Sequence, residues 1–510
     1  MCGIVAYIGN KPCQQLLIEG LKRLEYRGYD SAGVAVMQDG HIKLCKSVGR
    51  VANLEDRIEQ VGDFRGTIGL GHTRWATHGG VTDANAHPHV DDRNGICLVH
   101  NGIIENYAAL RTYLEEKGHK FQSQTDTEVL AMLIGELYSP SEGVDLETAV
   151  QAALREVTGA YAIVVMCEKE PDTLVCARKG SPLMVGVGNG EFFIASDGSA
   201  IIAHTTQAFA LDDYNVVKMT PKGFRTSTIH NVPVTPKIEA LELELQEIEL
   251  GGYSHFMQKE IFEQPKAIRN CFRGRIDSHD GKVVLGGLAE NAKELIKSKR
   301  VILVAQGTAL HAAMIGQYLF EDLCKLPARA EYGSEFRYRN PVIEENSVVI
   351  AVSQSGETAD TLAALQEARE RGSLALGVIN VVGSTISRET DAGVYLRVGP
   401  EIGVASTKAF VGQVAVLTLI SLWMGRRRFM GADHCSELLR AMETIPDKME
   451  QILAQDQVIK KVTEKYIERE NWLFLGRGYN FPTALEGALK LKEISYIHAE
   501  GMPAAEMKHG

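Results

Sequence analysis

A chain of 510 residues is too long for one hydrophobic core and is expected to divide into three or four domains. Apolar and charged shares of 45% and 23% are those of a globular protein, and a formal charge of −11 argues against nucleic acid as the main partner. The nine cysteines are odd in number, scattered and without a CxxC pair, which points to a reduced, cytoplasmic chain and away from a disulfide frame or zinc knuckle.

The first element is a strand that opens at Cys2. Once Met1 is removed, Cys2 carries a thiol and a free α-amine, which titrate near ~8.5 and ~8 and can exchange a proton near neutral pH. The alternative is an ordinary buried cysteine. Short strands follow at 32–37, 96–99, 160–166, 173–177 and 192–195, with helices at 14–24, 105–117, 127–138 and 146–157, a pattern that suggests layered α+β packing over 2–238.

Between these elements lie three polar motifs. His72 to Gly79 packs a guanidinium, an indole, hydroxyls and glycine into one segment; it suits a carboxylate grip or else is a solvated loop. His100-Asn101-Gly102 offers an amide and a main-chain N–H as oxyanion donors, or is simply an Asn-Gly turn. Thr125-Asp126-Thr127-Glu128 caps a helix, and its acidic residue could also take an α-ammonium. The histidines at 72, 78, 87, 89 and 100 have no ligand spacing, so no metal is expected.

Pro233, Pro236, the acidic run 239–249 and Gly251-Gly252 mark a boundary, with a linker and connecting helices over 239–292. From 293 the texture becomes strand, glycine turn, helix. Strands at 301–305, 348–352, 374–379 and 392–396 read as a doubly wound parallel sheet over 293–430. Residues 410–425 are apolar but interrupted by Gln413, Thr418 and Ser421, and are expected to form a buried helix, not a membrane span. Ser353 to Thr358 places hydroxyls at a helix start, an anion site or a plain cap. Ala405 to Lys408 forms a second such turn.

Over 431–510 a second copy begins. Gly307 and Gly478, and Glu335 and Glu506, share one offset of 171 residues, which indicates duplication. The second sheet is incomplete, so the chain reads as a fragment of a longer one. On the helix after Pro482, Glu486, Lys490 and Glu493 share a face; this stripe reads first as a solvated ion-pair ladder and, if it faces a crevice, as a base for proton transfer.

MCGIVAYIG, LEYRGYDSAG, HTRWATHG, NAHPH, HNGIIEN and TDTE together resemble the glutamine amidotransferases that use an N-terminal cysteine. The resemblance implies an N-terminal-nucleophile fold of layered αββα build. It also implies attack by Cys2 on the glutamine amide with its own amine as base, oxyanion donors in Asn101 and Gly102, a glutamine grip from Arg74, Thr77, His78 and Asp126, and a gate in Trp75. SQSGETADT, EIGVASTKAF, ALEGALKLKEISYIHAE and EMKHG resemble the α/β sugar isomerase (SIS) domains of the glucosamine-6-phosphate synthase family. That likeness implies conversion of fructose 6-phosphate and glutamine into glucosamine 6-phosphate and glutamate by internal ammonia transfer, without a cofactor, in a homodimer.

By the same likeness Thr308, Ser353, Gln354, Ser355 and Thr358 hold the sugar phosphate and Val404 and Ser406 line the site. Glu493 moves a proton between C1 and C2, Lys490 assists, and His509 helps open the ring, with a neighbouring subunit as its candidate source. Two departures stand out. The first phosphate turn, Cys-Gly-Thr-Ser in the family, is Gln306-Gly307-Thr308-Ala309 here, and the family's C-terminal tail with its Schiff-base lysine is absent. Those departures leave an uncoupled glutaminase with a sugar-phosphate-binding half as the alternative reading. A purine-pathway amidotransferase would need a phosphoribosyl-binding half, which is not visible.

Overall fold

The computed structural model describes residues 2–25, 28–76, 79–91, 93–241 and 249–509. They form two compact units, 1–249 and 250–510.

The first unit is built on two antiparallel sheets. One has the strand order Glu239–Ala240, Gln207–Ala210, Met184–Val187, Phe192–Ala195, Gly3–Ile8, Ile68–Arg74, Ser31–Gln38, His41–Val48. The other runs Pro233–Val234, Gly223–Thr228, Asn215–Thr220, Glu170–Lys179, Gly159–Cys167, Ile96–Ile104, His89–Asp91. Alternate residues of the central strands point to opposite faces, and here both faces are apolar. Ile4, Ala6 and Ile8 pack against Val99, Ala162 and Val164 between the sheets, while Val5 and Tyr7 pack outward with Leu17 and Leu21 of helix Gln14–Leu24. Helices Asp126–Leu137 and Leu146–Glu156 cover the outer face of the second sheet. The layers are therefore αββα, as the resemblance implies. Glu239–Ala240, which the sequence analysis placed in the linker, pairs with Gln207–Ala208 as an edge strand.

The second unit carries a five-stranded parallel sheet in the order Ala328–Tyr332, Arg300–Ala305, Ser347–Ser353, Leu374–Ile379, Ala392–Tyr395. In chain order this is 2-1-3-4-5, so the topological switch point falls between Arg300–Ala305 and Ser347–Ser353. Helix Lys408–Arg428, the apolar stretch, is a core helix: Val416, Leu417, Leu419, Ile420 and Leu422 are buried with Leu303 and Leu310.

The repeat is visible in the register. Val301 pairs with Ala328, and Trp472 pairs with Ala499, so both members of the second parallel pair lie 171 residues beyond those of the first. Each first strand leads to a glycine of positive φ, Gly307 at 55° and Gly478 at 57°, and then to a helix, Thr308–Cys324 or Asn480–Ser495.

Candidate functional site

In the first unit the site grows from the end of the central strand Gly3–Ile8. Antiparallel pairing sets Gly3 opposite Thr73, so Cys2 lies beside the exit of the neighbouring strand at Arg74 and Trp75. The Trp75 main-chain N–H donates to Cys2 Sγ at 3.2 Å, and the thiol lies 3.5 Å from the Trp75 carbonyl. Among the described residues these are the only hydrogen bonds to Sγ, and no side-chain base reaches it. Burial pushes the Cys2 thiol above its ordinary pKa; the Trp75 N–H and the Arg74 charge oppose this, and Asp30 adds to it. The sulfur therefore rests as a thiol and needs a base before it can attack.

Asn101 stands across from Cys2. Its Nδ2 donates to the Cys2 carbonyl at 3.0 Å, and its Oδ1 lies 2.9 Å from His72 Nε2. His72 Nε2 also lies 3.1 Å from the His100 carbonyl, so that nitrogen faces two acceptors and must carry the proton. Burial brings the His72 pKa down to about 3, and the ring is neutral. Gly102 follows within strand Ile96–Ile104 and pairs with Tyr161, so Asn-Gly is part of a ladder and not a turn. With φ at 140°, a Cβ on Gly102 would lie 2.1 Å from the Ala160 carbonyl oxygen, a position only glycine can fill.

Arg74 is buried, donates to the Gly80 carbonyl at 3.1 Å and sits among the charges of Cys2, Asp30 and Asp126. Asp126 is the first residue of its helix, where Thr125 accepts from the Glu128 N–H; one carboxylate oxygen accepts the Ile104 N–H at 2.8 Å. Cys2, Arg74, Trp75, Gly102 and Asp126 line one pocket, with His87 and His100 at its back. Thr77 and His78 lie outside the described residues. A larger cavity of about 640 Å³, lined by Lys46, His89, Asp91 and His119 among others, holds none of the sequence-predicted residues.

In the second unit the turns at 306–309 and 353–358 leave the two strands that flank the switch point, whereas 405–408 follows the edge strand Ala392–Tyr395. Ser353 ends Ser347–Ser353; its hydroxyl accepts the Gly356 N–H at 2.9 Å and lies 3.4 Å from Thr358 Oγ1, while Ser355 Oγ accepts the Glu357 N–H at 3.2 Å. Thr358 then starts helix Ala359–Glu370. The first turn approaches this helix through Gln306 Nε2, 3.5 Å from Asp360.

Thr308, at the start of the other helix, meets the acidic and basic face of Asn480–Ser495. Lys490 Nζ donates to Thr308 Oγ1 at 3.0 Å, and that hydroxyl donates to Glu486 Oε1 at 2.9 Å. Lys490 also lies 2.9 Å from Glu493 and 3.3 Å from Glu486. His311 closes the cluster, 2.7 Å from Glu486 Oε2. Glu486 is buried, so the solvated-ladder reading of this stripe is overturned: helix-on-helix packing takes its N-terminal end out of water.

Other predicted residues are placed apart from this cluster. Ser406 Oγ donates to Glu401 at 2.6 Å, Val404 projects with 52% of its surface exposed, and His509 is exposed with no side-chain bond to the Thr308 cluster among the described residues. The described residues contain no group of His, Cys, Asp and Glu arranged to hold a metal ion.

A family profile for the SIS domain matches residues 294–422 and 465–510, and one for a glutamine amidotransferase domain matches 60–250. Glutamine–fructose-6-phosphate aminotransferase (isomerizing) of Chlorobaculum tepidum is 51% identical over the whole chain, which spans 83% of that protein. The enzyme of the same name from Bacteroides thetaiotaomicron is 50% identical with the same coverage. The chain belongs to the glutamine–fructose-6-phosphate aminotransferase (isomerizing) family. Among solved structures, the C-terminal domain of glucosamine-fructose-6-phosphate aminotransferase from Francisella tularensis aligns with a TM-score of 0.50 and 38% identity, over 51% of this chain and 73% of that one.

For a member of this aminotransferase family, four contributors escaped the sequence analysis as site residues. His72 lies inside a quoted motif but carries no sign of its bond to Asn101. Asp30 accepts the Ala76 N–H at 2.7 Å and so braces the segment after Trp75. Glu486 was visible only as part of a stripe. His311 had no signal at all, because its partner is 175 residues away.

Proposed function

We infer that this chain makes glucosamine 6-phosphate from fructose 6-phosphate with glutamine as nitrogen donor. In the glutaminase half, the α-amine of processed Cys2 takes the thiol proton, since no side-chain base reaches Sγ among the described residues. The thiolate attacks the glutamine carboxamide, and the Asn101 amide and Gly102 N–H carry the oxyanion. Ammonia leaves with a proton from the same amine, and water cleaves the thioester to glutamate. Arg74 pairs with the substrate carboxylate and Asp126 with its ammonium, with Thr77 and His78 completing the grip and Trp75 covering it.

In the isomerase half, Ser353, Gln354, Ser355 and Thr358 hold the phosphate beside Thr308. Lys490, 2.9 Å from Glu493, holds that carboxylate in place for proton transfer between C1 and C2. Val404 and Ser406 wall the site and His509 serves ring opening, supplied across a homodimer. The protein needs no cofactor, takes neither nucleic acid nor membrane as partner, and works in the cytoplasm, in keeping with nine free cysteines.

One observation carries the glutaminase chemistry: the Asn101 amide, held by His72, donates to the Cys2 main-chain carbonyl at 3.0 Å and so stands beside the nucleophile. The test measures glutamate and glucosamine 6-phosphate separately. Cys2→Ala is expected to remove glutamine-dependent release of both; glutamine cleavage at the normal rate in that variant would sink the reading. A second reading, glutaminase without synthesis, is favoured by Ala309 in place of the family's serine, a lost hydroxyl donor worth ~1–2 kcal/mol of binding. It predicts glutamate release with no amino sugar.

A further inference from the structure

Helix Phe256–Phe272 lies outside both matched domains, yet its buried face is not purely apolar. Glu260, 2% exposed, points into the unit and accepts main-chain N–H groups of the segment before helix Lys408–Arg428: Ile402 at 2.5 Å, and Gly403 at 3.0 and 3.2 Å to its two oxygens. The approach is close enough that a Cβ on Gly403 would lie 2.5 Å from Glu260 Oε2 and 3.2 Å from the Met257 main chain.

The far flank of the same segment is held by a second carboxylate. Glu401 accepts the Ser406 hydroxyl at 2.6 Å and the N–H groups of Thr407 and Ala409 at 2.8 and 3.0 Å. Between these two anchors Ile402 and Ala405 are buried while Val404 projects outward. Of the nearby cations, Lys408 pairs with Glu263 at 2.7 Å and Lys259 lies 3.4 Å from the same group. A buried carboxylate facing another carboxylate is costly, and an apolar side chain would stabilise the fold as well or better. An apolar residue could not accept two main-chain N–H groups.

We propose that Glu260 is a positioning residue of the sugar-phosphate site, fixing residues 401–407 so that Val404 and Ser406 face fructose 6-phosphate. The inference rests on the isomerase half of the function proposed above. Burial, followed by the charge of Glu401, raises the Glu260 pKa to about 7, while the Ile402 and Gly403 N–H groups and Lys408 lower it. The ionised form is the stronger acceptor, so the grip weakens as pH falls through that value.

The experiment titrates fructose 6-phosphate into the full chain by calorimetry from pH 6 to 8, for the unsubstituted protein, Glu260→Gln and Gly403→Ala. Both variants are expected to raise the Kd about tenfold at pH 8, the scale of a lost charge-assisted hydrogen bond. Both should keep glutamine cleavage within about twofold of the unsubstituted chain. The unsubstituted chain should lose affinity below pH 7 more steeply than Glu260→Gln. An unchanged Kd in Glu260→Gln overturns the proposal, and so does a loss of glutamine cleavage together with sugar binding, which marks a merely structural role. No binding by the unsubstituted chain instead overturns the isomerase reading itself.

Discussion

The side-chain amide of Asn101 has two orientations, and His72 selects one. Because the His72 ring is neutral and its protonated Nε2 faces Oδ1, the NH₂ group is turned toward the Cys2 carbonyl, the side on which the proposed oxyanion would form. Asn101→Ala is expected to lower kcat for glutamate release by ~10²–10³ with a much smaller change in KM, as for other oxyanion donors. A kcat within threefold of normal would show that the amide serves only to hold the strand end. His72→Phe keeps an aromatic ring beside His87, 4.1 Å away, but removes the selecting donor; it should lower kcat less than Asn101→Ala does. At this scale the residues that gather around Cys2 were readable from motifs, but their orientation was not. The Asn-Gly pair suggested a turn as readily as a donor pair, and the pairing of Gly102 with Tyr161 excludes the turn.

Helix Asn480–Ser495 illustrates what periodicity does and does not convey. Its three charged residues fall on one face by spacing alone, but whether that face meets water depends on Thr308–Cys324, an element remote in sequence. Its contact with that helix runs through Glu486, whose carboxylate is bound by Thr308 and His311 and neighboured by Lys490. Burial alone would raise the Glu486 pKa, but the His311 bond, the Lys490 charge and the Thr308 hydroxyl outweigh it and hold the group below its ordinary value. A carboxylate depressed in this way stabilises fully above its unfolded pKa of ~4.3 and loses that contribution as pH falls through the native value. Glu486→Ala leaves His311 and Thr308 without their acceptor and should weaken the docking by about 3–5 kcal/mol. Hydrogen exchange should then show residues 480–495 losing protection while the sheet strands Arg300–Ala305 and Ser347–Ser353 keep theirs. Unchanged protection would mean that apolar contacts alone hold the helix. The same limit explains the sheets of the first unit: several strands were legible, but neither Ile68–Arg74 nor the place of Gly3–Ile8 between it and Phe192–Ala195 was.

Across the whole molecule the buried histidines of the first unit and Glu260 of the second pull in opposite directions as pH falls. The first buries His72, His87, His89 and His100 as neutral rings, all with pKa values lowered by burial. An unfolded histidine takes up a proton near ~6.5 that the folded unit refuses, so each contributes a loss of up to ~1.4 kcal/mol per pH unit as pH falls below that value. Asp91, raised by burial, works against this trend, while His204, also lowered by burial, joins it. Among the described residues of the second unit no histidine is buried, and Glu260 has its pKa raised to about 7. Folded Glu260 holds a proton that the unfolded chain releases between ~4.3 and 7, so this group adds stability as pH falls across that window. Scanning calorimetry of the full chain is therefore expected to resolve two transitions whose separation changes between pH 7 and pH 5. The transition that tracks heat-inactivation of glutamine cleavage should move down, and the other should hold or rise. In Glu260→Gln the second transition should lose its upward trend while the first is unaffected. Two transitions falling in parallel would mean that the buried histidines and Glu260 do not govern the acid response of their units.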